Sequence, residues 1–202
     1  MSEIDVLQAV RLKGRATVEQ LGSTTGLAAD DLQATLDALI AGEHVIAKGP
    51  LVRISDTGRG RLAELLAVER AGVDAEAFAA AYSSFREING DFKALITDWQ
   101  LRDGQPNPHD DAEYDSAVLA RLPVIHRQVS TVVDAAAAQV PRLARYRTKL
   151  DDALARVSAG DTTWLAKPIA DSYHTVWFEL HEELILAAGL TRDAEAQAGH
   201  AQ

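Results

Sequence analysis

The chain has 202 residues, of which 47% are hydrophobic and 25% charged, so its composition is typical of a globular protein rather than a disordered or membrane-embedded one. It contains no cysteine, which excludes disulfides and thiolate chemistry and leaves His, Asp and Glu as the metal ligands to consider. The formal net charge of −10 argues against general affinity for polyanions, because cations that contact phosphates supply most non-specific affinity for nucleic acid.

Membrane and export signals are not evident in the sequence. No apolar run approaches the roughly 20 residues that span a bilayer. The N-terminal stretch "MSEIDVLQAVRLKG" begins acidic and amphipathic, unlike a signal peptide. We therefore expect a cytoplasmic protein with no membrane partner.

The first 42 residues predict three helices. Apolar residues recur at helical spacing over 4–12, and Gly14 closes that helix. A short helix is expected from Thr17, its N-cap, to about residue 23, followed by a turn at Gly26. The third helix is expected to bury five apolar side chains, Leu27, Leu32, Leu36, Leu39 and Ile40.

A hairpin and a fourth helix follow. The stretch "HVIAKGPLVRIS" predicts two short strands around Gly49-Pro50, and Ser55 or Asp56 is placed to cap a helix that buries Leu62, Leu65 and Leu66. Three helices, a hairpin and a helix are the elements of a winged helix-turn-helix. The segment "LVRISDTGRGRLAELL" resembles the wing-exit segment of MarR-like and PadR-like regulators. This resemblance covers roughly residues 1–70 and implies a DNA-binding domain.

From residue 74 onward the pattern is helical. Asn89-Gly90 is a weak point of the first long segment, "RDGQPNPHDD" is a loop, and Pro123 is expected to kink the next segment. Two further helices begin at Pro141 and Pro168. The predicted fold is therefore mainly α, with a winged helix-turn-helix at residues 1–72, an antiparallel α-helical bundle at 73–192 and a flexible tail at 193–202.

The helical half also resembles a known sequence type. The pieces "ITDWQLRD" and "DSYHTVWFELHEELI" are similar to an uncharacterised all-helical region of actinobacteria, found behind winged-helix domains and at the ends of proteins related to phosphoenolpyruvate-utilising phosphotransferases. The resemblance covers residues 75–192 and implies no activity. The glycine-rich and phosphohistidine motifs of those enzymes are not in the sequence, so phosphotransfer is not predicted.

The helix that would read DNA bases is acidic. It carries Asp30, Asp31 and Asp37, and among its outward residues only Gln33 can donate to a base edge. Residues 1–73 nevertheless hold eight Lys and Arg against ten Asp and Glu, while the remainder holds twelve against twenty. The candidate phosphate-binding cations are Lys13, Arg15, Lys48, Arg53, Arg59 and Arg61. The plainer interpretation is that these side chains are only a solvated surface.

The stretch "DSYHTVWFELHEELI" raises the question of what satisfies two histidines that are expected to be buried. At about 100° per residue, His174 and His181 fall inside the apolar arc, whereas Glu179 and Glu183 are expected to point to water. Buried imidazoles need partners. An internal hydrogen-bond network is the favoured interpretation. The alternative is a small-molecule pocket lined by Trp99, His126, Tyr173, His174, Trp177 and His181. A metal site is disfavoured, because residues seven apart on a helix are about 10 Å apart along its axis.

No catalytic or cofactor-binding motif is evident, so neither an enzyme nor a bound cofactor is predicted. The favoured function is a DNA-binding transcriptional regulator whose helical domain dimerises or senses an effector. Its expected partners are double-stranded DNA, a second copy of the chain and a small-molecule effector. The alternative is a non-catalytic interaction module in which the acidic third helix docks onto a basic partner protein.

Overall fold

The computed structural model describes residues 3–168 and 170–199. The chain divides into two compact units, Met1–Gly72 and Val73–Gln202, which are described separately below. The protein is mainly helical, with short two-stranded sheets. Within the described ranges, every helix lacks the length or the apolar character that a bilayer crossing requires.

The N-terminal unit begins with three helices, α1 (Glu3–Lys13), α2 (Val18–Thr25) and α3 (Ala29–Ala41). Their ends lie close to the predicted positions because the local signals act as expected. Thr17 and Gln20 form a capping box at the start of α2. Gly14 and Gly26 adopt left-handed φ values of 68° and 69°, which glycine adopts without steric cost.

A hairpin follows α3, formed by β1 (Val45–Lys48) and β2 (Leu51–Ile54). The strands pair antiparallel with Val45 opposite Ile54 and Lys48 opposite Leu51. Ala16 forms a bridge with Val52, so the segment between α1 and α2 adds a third short edge to the hairpin. The next helix, α4 (Asp56–Ala71), is capped by Ser55, whose Oγ accepts from the amide of Gly58 at 2.9 Å.

Fewer of the apolar side chains on and before α3 are buried than the sequence predicts. Leu32, Leu36 and Leu39 are buried, but Ile40 is 37% exposed and Leu27, which precedes the helix, is half-buried. Ile40 lies about 80° around the helix axis from Leu32, at the edge of the buried stripe. The expectation that all five apolar residues face the core was therefore wrong for Ile40.

The C-terminal unit contains six helices within the described residues. They are α5 (Ala75–Gln100), α6 (Ala112–Leu119), α7 (Leu122–Gln139), α8 (Arg145–Ser158), α9 (Tyr173–Ala187) and α10 (Arg192–Gln197). Short 3-10 turns at Pro141–Ala144 and Thr162–Leu165 flank α8. Helix α5 packs on α7, and α8 packs on both α7 and α9, around one continuous apolar core.

Four local features differ from the sequence expectation. The last long helix, α9, begins at Tyr173 with Ser172 as its N-cap, and not at Pro168 as predicted. Helix α5 runs unbroken through Asn89-Gly90, where the Asn89 side-chain oxygen accepts from Trp177 Nε1 at 2.9 Å. Pro123 does not kink a helix but lies in the first turn of α7, where its missing N–H is tolerated. The segment predicted as loop contains a small hairpin of β3 (Leu101–Arg102) and β4 (Gln105–Pro106).

The predicted flexible tail is partly structured. Helix α10 forms in it, capped by Thr191, and Glu195 is buried where it accepts a 2.6 Å hydrogen bond from Tyr82. A polar composition suggested fraying, but this contact to α5 and the ion pair of Arg192 with Glu182 on α9 hold the segment in place. Residues 200–202 lie outside the described part of the chain.

Candidate functional site

The candidate cations of the N-terminal unit converge on the hairpin. In an antiparallel ladder, directly opposed residues share a face, so Arg53 lies on the face of its partner Ile46, and Lys48 on the face of Leu51. The Ala16–Val52 bridge places Arg15 opposite Arg53 on the same side. All five side chains are exposed, whereas Val52 and Ile54 point into the core. We call Arg15, Lys48 and Arg53 the hairpin cations.

Among the described residues, no carboxylate forms an ion pair with the hairpin cations. Within residues 3–168 and 170–199, no ion pair involves Arg15, Lys48, Arg53 or Arg59. Arg61 differs, because its guanidinium donates to both carboxylate oxygens of Glu3, at 2.9 and 2.8 Å. This hydrogen bonding lowers the pKa of Glu3. Arg61, predicted to bind phosphate, therefore acts as an internal ion-pair partner, and Lys13 also has an internal interaction.

Helix α3 is poorly suited to reading bases. Asp30, Asp31 and Asp37 are all exposed, and no cation lies on this helix. The amide of Gln33 donates to Asp37 Oδ1 at 2.8 Å, one turn along the helix. To contact an adenine edge, Gln33 would have to give up this hydrogen bond. The usable positive charge thus lies on the hairpin and the first turns of α4.

The six candidate pocket residues of the C-terminal unit do not line one cavity. His126 and Tyr173 belong to a hydrogen-bonded chain in which His126 Nδ1 lies 3.2 Å from the Tyr173 hydroxyl and His126 Nε2 lies 2.8 Å from Asp151 Oδ1. Both side chains are buried, and the imidazole is satisfied on both nitrogens. This network contains neither His174 nor His181, the two imidazoles for which the sequence favours internal partners.

His181 is buried among aromatic rings. It lies 5.0 Å from the ring centre of Phe85, and its Nε2 is 3.4 Å from the Tyr82 hydroxyl, which in turn donates to Glu195. Burial lowers the pKa of His181 to about 4 and raises the pKa of Tyr82. The imidazole is therefore neutral at physiological pH.

His174 is exposed, contrary to the expectation that it is buried within the apolar arc. Together with Trp177, His181 and Lys93 it borders a shallow groove of about 250 Å³ between α5 and α9. The groove floor is the stacked pair of Trp177 and Phe92, whose ring centres are 4.1 Å apart. Three of the six candidates therefore meet here. Trp99 lies in a different cleft, next to His109.

Two glutamates of α9 do not lie where the sequence predicts. Glu179 and Glu183 are buried, with exposures of 2% and 0%, although both were expected to face water. Glu183 accepts hydrogen bonds from Arg142 at 2.5 Å, Arg145 at 3.1 Å and the Tyr146 hydroxyl at 3.3 Å. Burial, followed by the nearby charge of Glu183, raises the pKa of Tyr146 well above its ordinary value. The prediction assumed that α9 buries one face, whereas the helix also buries the face that carries Glu179 and Glu183.

No group of three or more metal-ligating side chains occurs within the described residues. Comparisons with known proteins add no functional assignment. No family model matches the chain, and no curated protein or solved structure matches it. The two resemblances drawn from the sequence therefore stay predictions.

Proposed function

We propose that the N-terminal unit is a winged helix-turn-helix that binds double-stranded DNA through its hairpin, and that the chain is a transcriptional regulator. The observation that carries the proposal is the clustering of Arg15, Lys48 and Arg53 on one exposed face, where no carboxylate of the described residues pairs with them. Side chains paired with carboxylates would have to exchange partners before binding phosphate. The hairpin cations and Arg59 have no ion pair with a described residue that must be broken before they bind phosphate.

The electrostatics favour binding to the DNA backbone over base reading. Duplex DNA carries one charge per about 1.7 Å, and each phosphate neutralised by Lys or Arg releases counter-ions. Four cations on a unit whose net charge, with them included, is −2 give modest, strongly salt-dependent affinity. The three aspartates of α3 oppose close approach of that helix to the backbone. We therefore place the main contacts on the hairpin, with Gln33 as the only base-reading candidate of α3.

The helical unit is proposed to supply dimerisation or effector sensing. A single winged helix buries little DNA surface, and a symmetric dimer reading two half-sites would double the number of phosphate contacts. The groove bordered by His174, Trp177 and His181 is one candidate for an effector. Light scattering of the full chain with and without duplex DNA measures whether the DNA-bound species is a dimer.

Charge-matched variants test the DNA-binding proposal. Binding to a fluorescein-labelled 30-base-pair duplex is measured by anisotropy at about 50 mM salt. Arg53→Gln is expected to weaken binding about 5-fold to 10-fold and to lower the salt slope by about 1, whereas Arg127→Gln, an exposed arginine on α7, leaves both unchanged. Equal effects of the two variants would show that only net charge matters. Undetectable binding by the folded wild-type protein would refute the proposal.

A second candidate function is docking of α3 onto a basic partner protein. It is favoured by the three exposed aspartates and by the Gln33–Asp37 hydrogen bond, which withdraws the one base-reading amide. The two functions differ in their response to Asp37→Asn. If the hairpin binds DNA beside α3, this substitution removes repulsion and tightens DNA binding. If α3 is instead a protein-docking surface, neither the wild-type protein nor the Asp37→Asn variant binds the duplex.

A further inference from the structure

A cleft of about 920 Å³ lies within the helical unit, away from the groove discussed above. It is bordered by the end of α5, the start of α6 and the segment after α8. Trp99, Leu119 and Pro168 supply apolar surface, while His109, Ser116 and Lys167 supply polar groups. A concave site with an apolar lining and a few converging polar groups is typical of small-molecule binding.

His109 forms a fixed wall of this cleft. Its backbone has φ 56°, a left-handed value that costs a non-glycine residue energy and persists only where several contacts enforce it. Asn107 Oδ1 accepts from the His109 amide at 3.1 Å, and the imidazole Nδ1 lies 2.9 Å from Asp115 Oδ2. The ring also packs 4.4 Å from the centre of Trp99. The sequence predicts only a loop in this segment.

Among the described residues that border the cleft, Lys167 is the cation without a carboxylate partner. Both oxygens of Asp115 are occupied, Oδ1 by the Asn107 amide at 2.9 Å and Oδ2 by His109. Lys167 makes no ion pair within residues 3–168 and 170–199, and its Nζ lies 5.6 Å from the centre of the Trp164 ring. The carboxylate is therefore satisfied inside the protein, whereas Lys167 borders the cleft and pairs with no carboxylate of the described residues.

We propose that this cleft binds a small organic anion, with its carboxylate on Lys167 and its apolar part against Trp99 and Leu119. The acidic helical unit as a whole repels anions, so the preference must come from Lys167 itself. Because Asp115 and Asn107 already hold the His109 ring in place, the site needs no rearrangement to accept a ligand. The proposal does not depend on DNA binding by the N-terminal unit.

Three probes with the same hydrocarbon ring and different charge test this inference: cyclohexanecarboxylate, cyclohexanol and cyclohexylammonium. Binding to the full chain is followed by NMR of ¹³C-labelled histidine and ¹⁵N-labelled tryptophan side chains. We expect saturable shifts of His109 and Trp99 with the carboxylate, and at least 10-fold weaker binding of the other two probes. His174, in the other groove, serves as the internal reference and should not shift.

Two lysine variants complete the test. Lys167→Gln should reduce carboxylate binding to the level of cyclohexanol, while Lys93→Gln, in the groove of His174, should leave it unchanged. Both positions are at the surface of the unit, and circular dichroism verifies folding. Equal affinity for the three probes, no saturable shift at His109, or an undiminished response in Lys167→Gln would each overturn the proposal.

Discussion

Gly58 is the point of closest approach between α4 and the backbone before β1. A Cβ atom built on Gly58 would lie 2.0 Å from the carbonyl oxygen of His44, 2.9 Å from its carbon and 3.0 Å from Ile54 Cγ1. Two backbone segments would have to separate by at least 1 Å to accommodate alanine. Gly60, two residues further along the same helix, has no such neighbour within 4 Å. The pair forms a matched test of the packing of the N-terminal unit.

The magnitude of the Gly58→Ala effect follows from three contributions. Overpacking costs about 1–3 kcal/mol. Displacing the His44 carbonyl also weakens its 3.0 Å hydrogen bond from the Ser55 amide, worth about 1 kcal/mol. The higher helix propensity of alanine returns up to about 1 kcal/mol. We expect Gly58→Ala to lower the free energy of unfolding of the N-terminal unit by about 2 kcal/mol, and Gly60→Ala to raise it by about 0.5–1 kcal/mol.

Hydrogen exchange followed by mass spectrometry measures this effect locally. A loss of about 2 kcal/mol accelerates exchange of β1, β2 and α4 peptides about 30-fold. Every Trp and Tyr of the chain lies beyond residue 72, so intrinsic fluorescence reports the C-terminal unit as an internal control. Wild-type protection in Gly58→Ala, or equal destabilisation by Gly60→Ala, would refute the close-packing argument.

Three further predictions concern the buried polar groups of the helical unit. Burial lowers the pKa of His181 from 6.5 to about 4, so the unfolded chain takes up the proton first as pH falls. The free energy of unfolding of this unit should therefore fall by about 2 kcal/mol between pH 7.5 and 5, measured in urea titrations followed by fluorescence. A His181→Gln variant that shows the same fall would contradict the assignment. Glu183→Gln removes the buried carboxylate that pairs with Arg142 and Arg145 and should cost about 3–5 kcal/mol in the same titration; a cost below 1 kcal/mol would mean that other groups compensate the arginines. Tyr82→Phe removes the hydrogen bond to Glu195 and should accelerate exchange of the α10 amides by about 10-fold without affecting α7; unchanged α10 protection would show that other contacts hold this helix.

The N-terminal unit was the more predictable half because local chemistry determines its boundaries. Thr17 and Ser55 cap their helices through side-chain oxygens, and Gly14, Gly26 and Gly49 take the positive φ values that turns require. These signals act within four residues along the chain. They determine element order well and say little about which cations are already paired, as Arg61 shows.

The helical unit was less predictable because its key contacts join distant parts of the chain. Placing Glu183 in water followed from assuming one apolar face on α9. In fact Arg142 and Arg145, about 40 residues earlier, reach it from the other side. The spacing of Arg142 and Arg145 in "RLARYR" could have suggested a buried acidic partner. Likewise, the segment "NPHDD" does not predict the left-handed φ of His109, whose ring packs against Trp99.

The most direct test of the account is the salt dependence of DNA binding by the wild-type chain. With Arg15, Lys48, Arg53 and Arg59 each neutralising one phosphate, a plot of log K against log salt concentration should have a slope of about −3 to −4 for each N-terminal unit that contacts the duplex. A slope near zero, or no binding of the folded protein at about 50 mM salt, would contradict the proposal that the hairpin binds DNA.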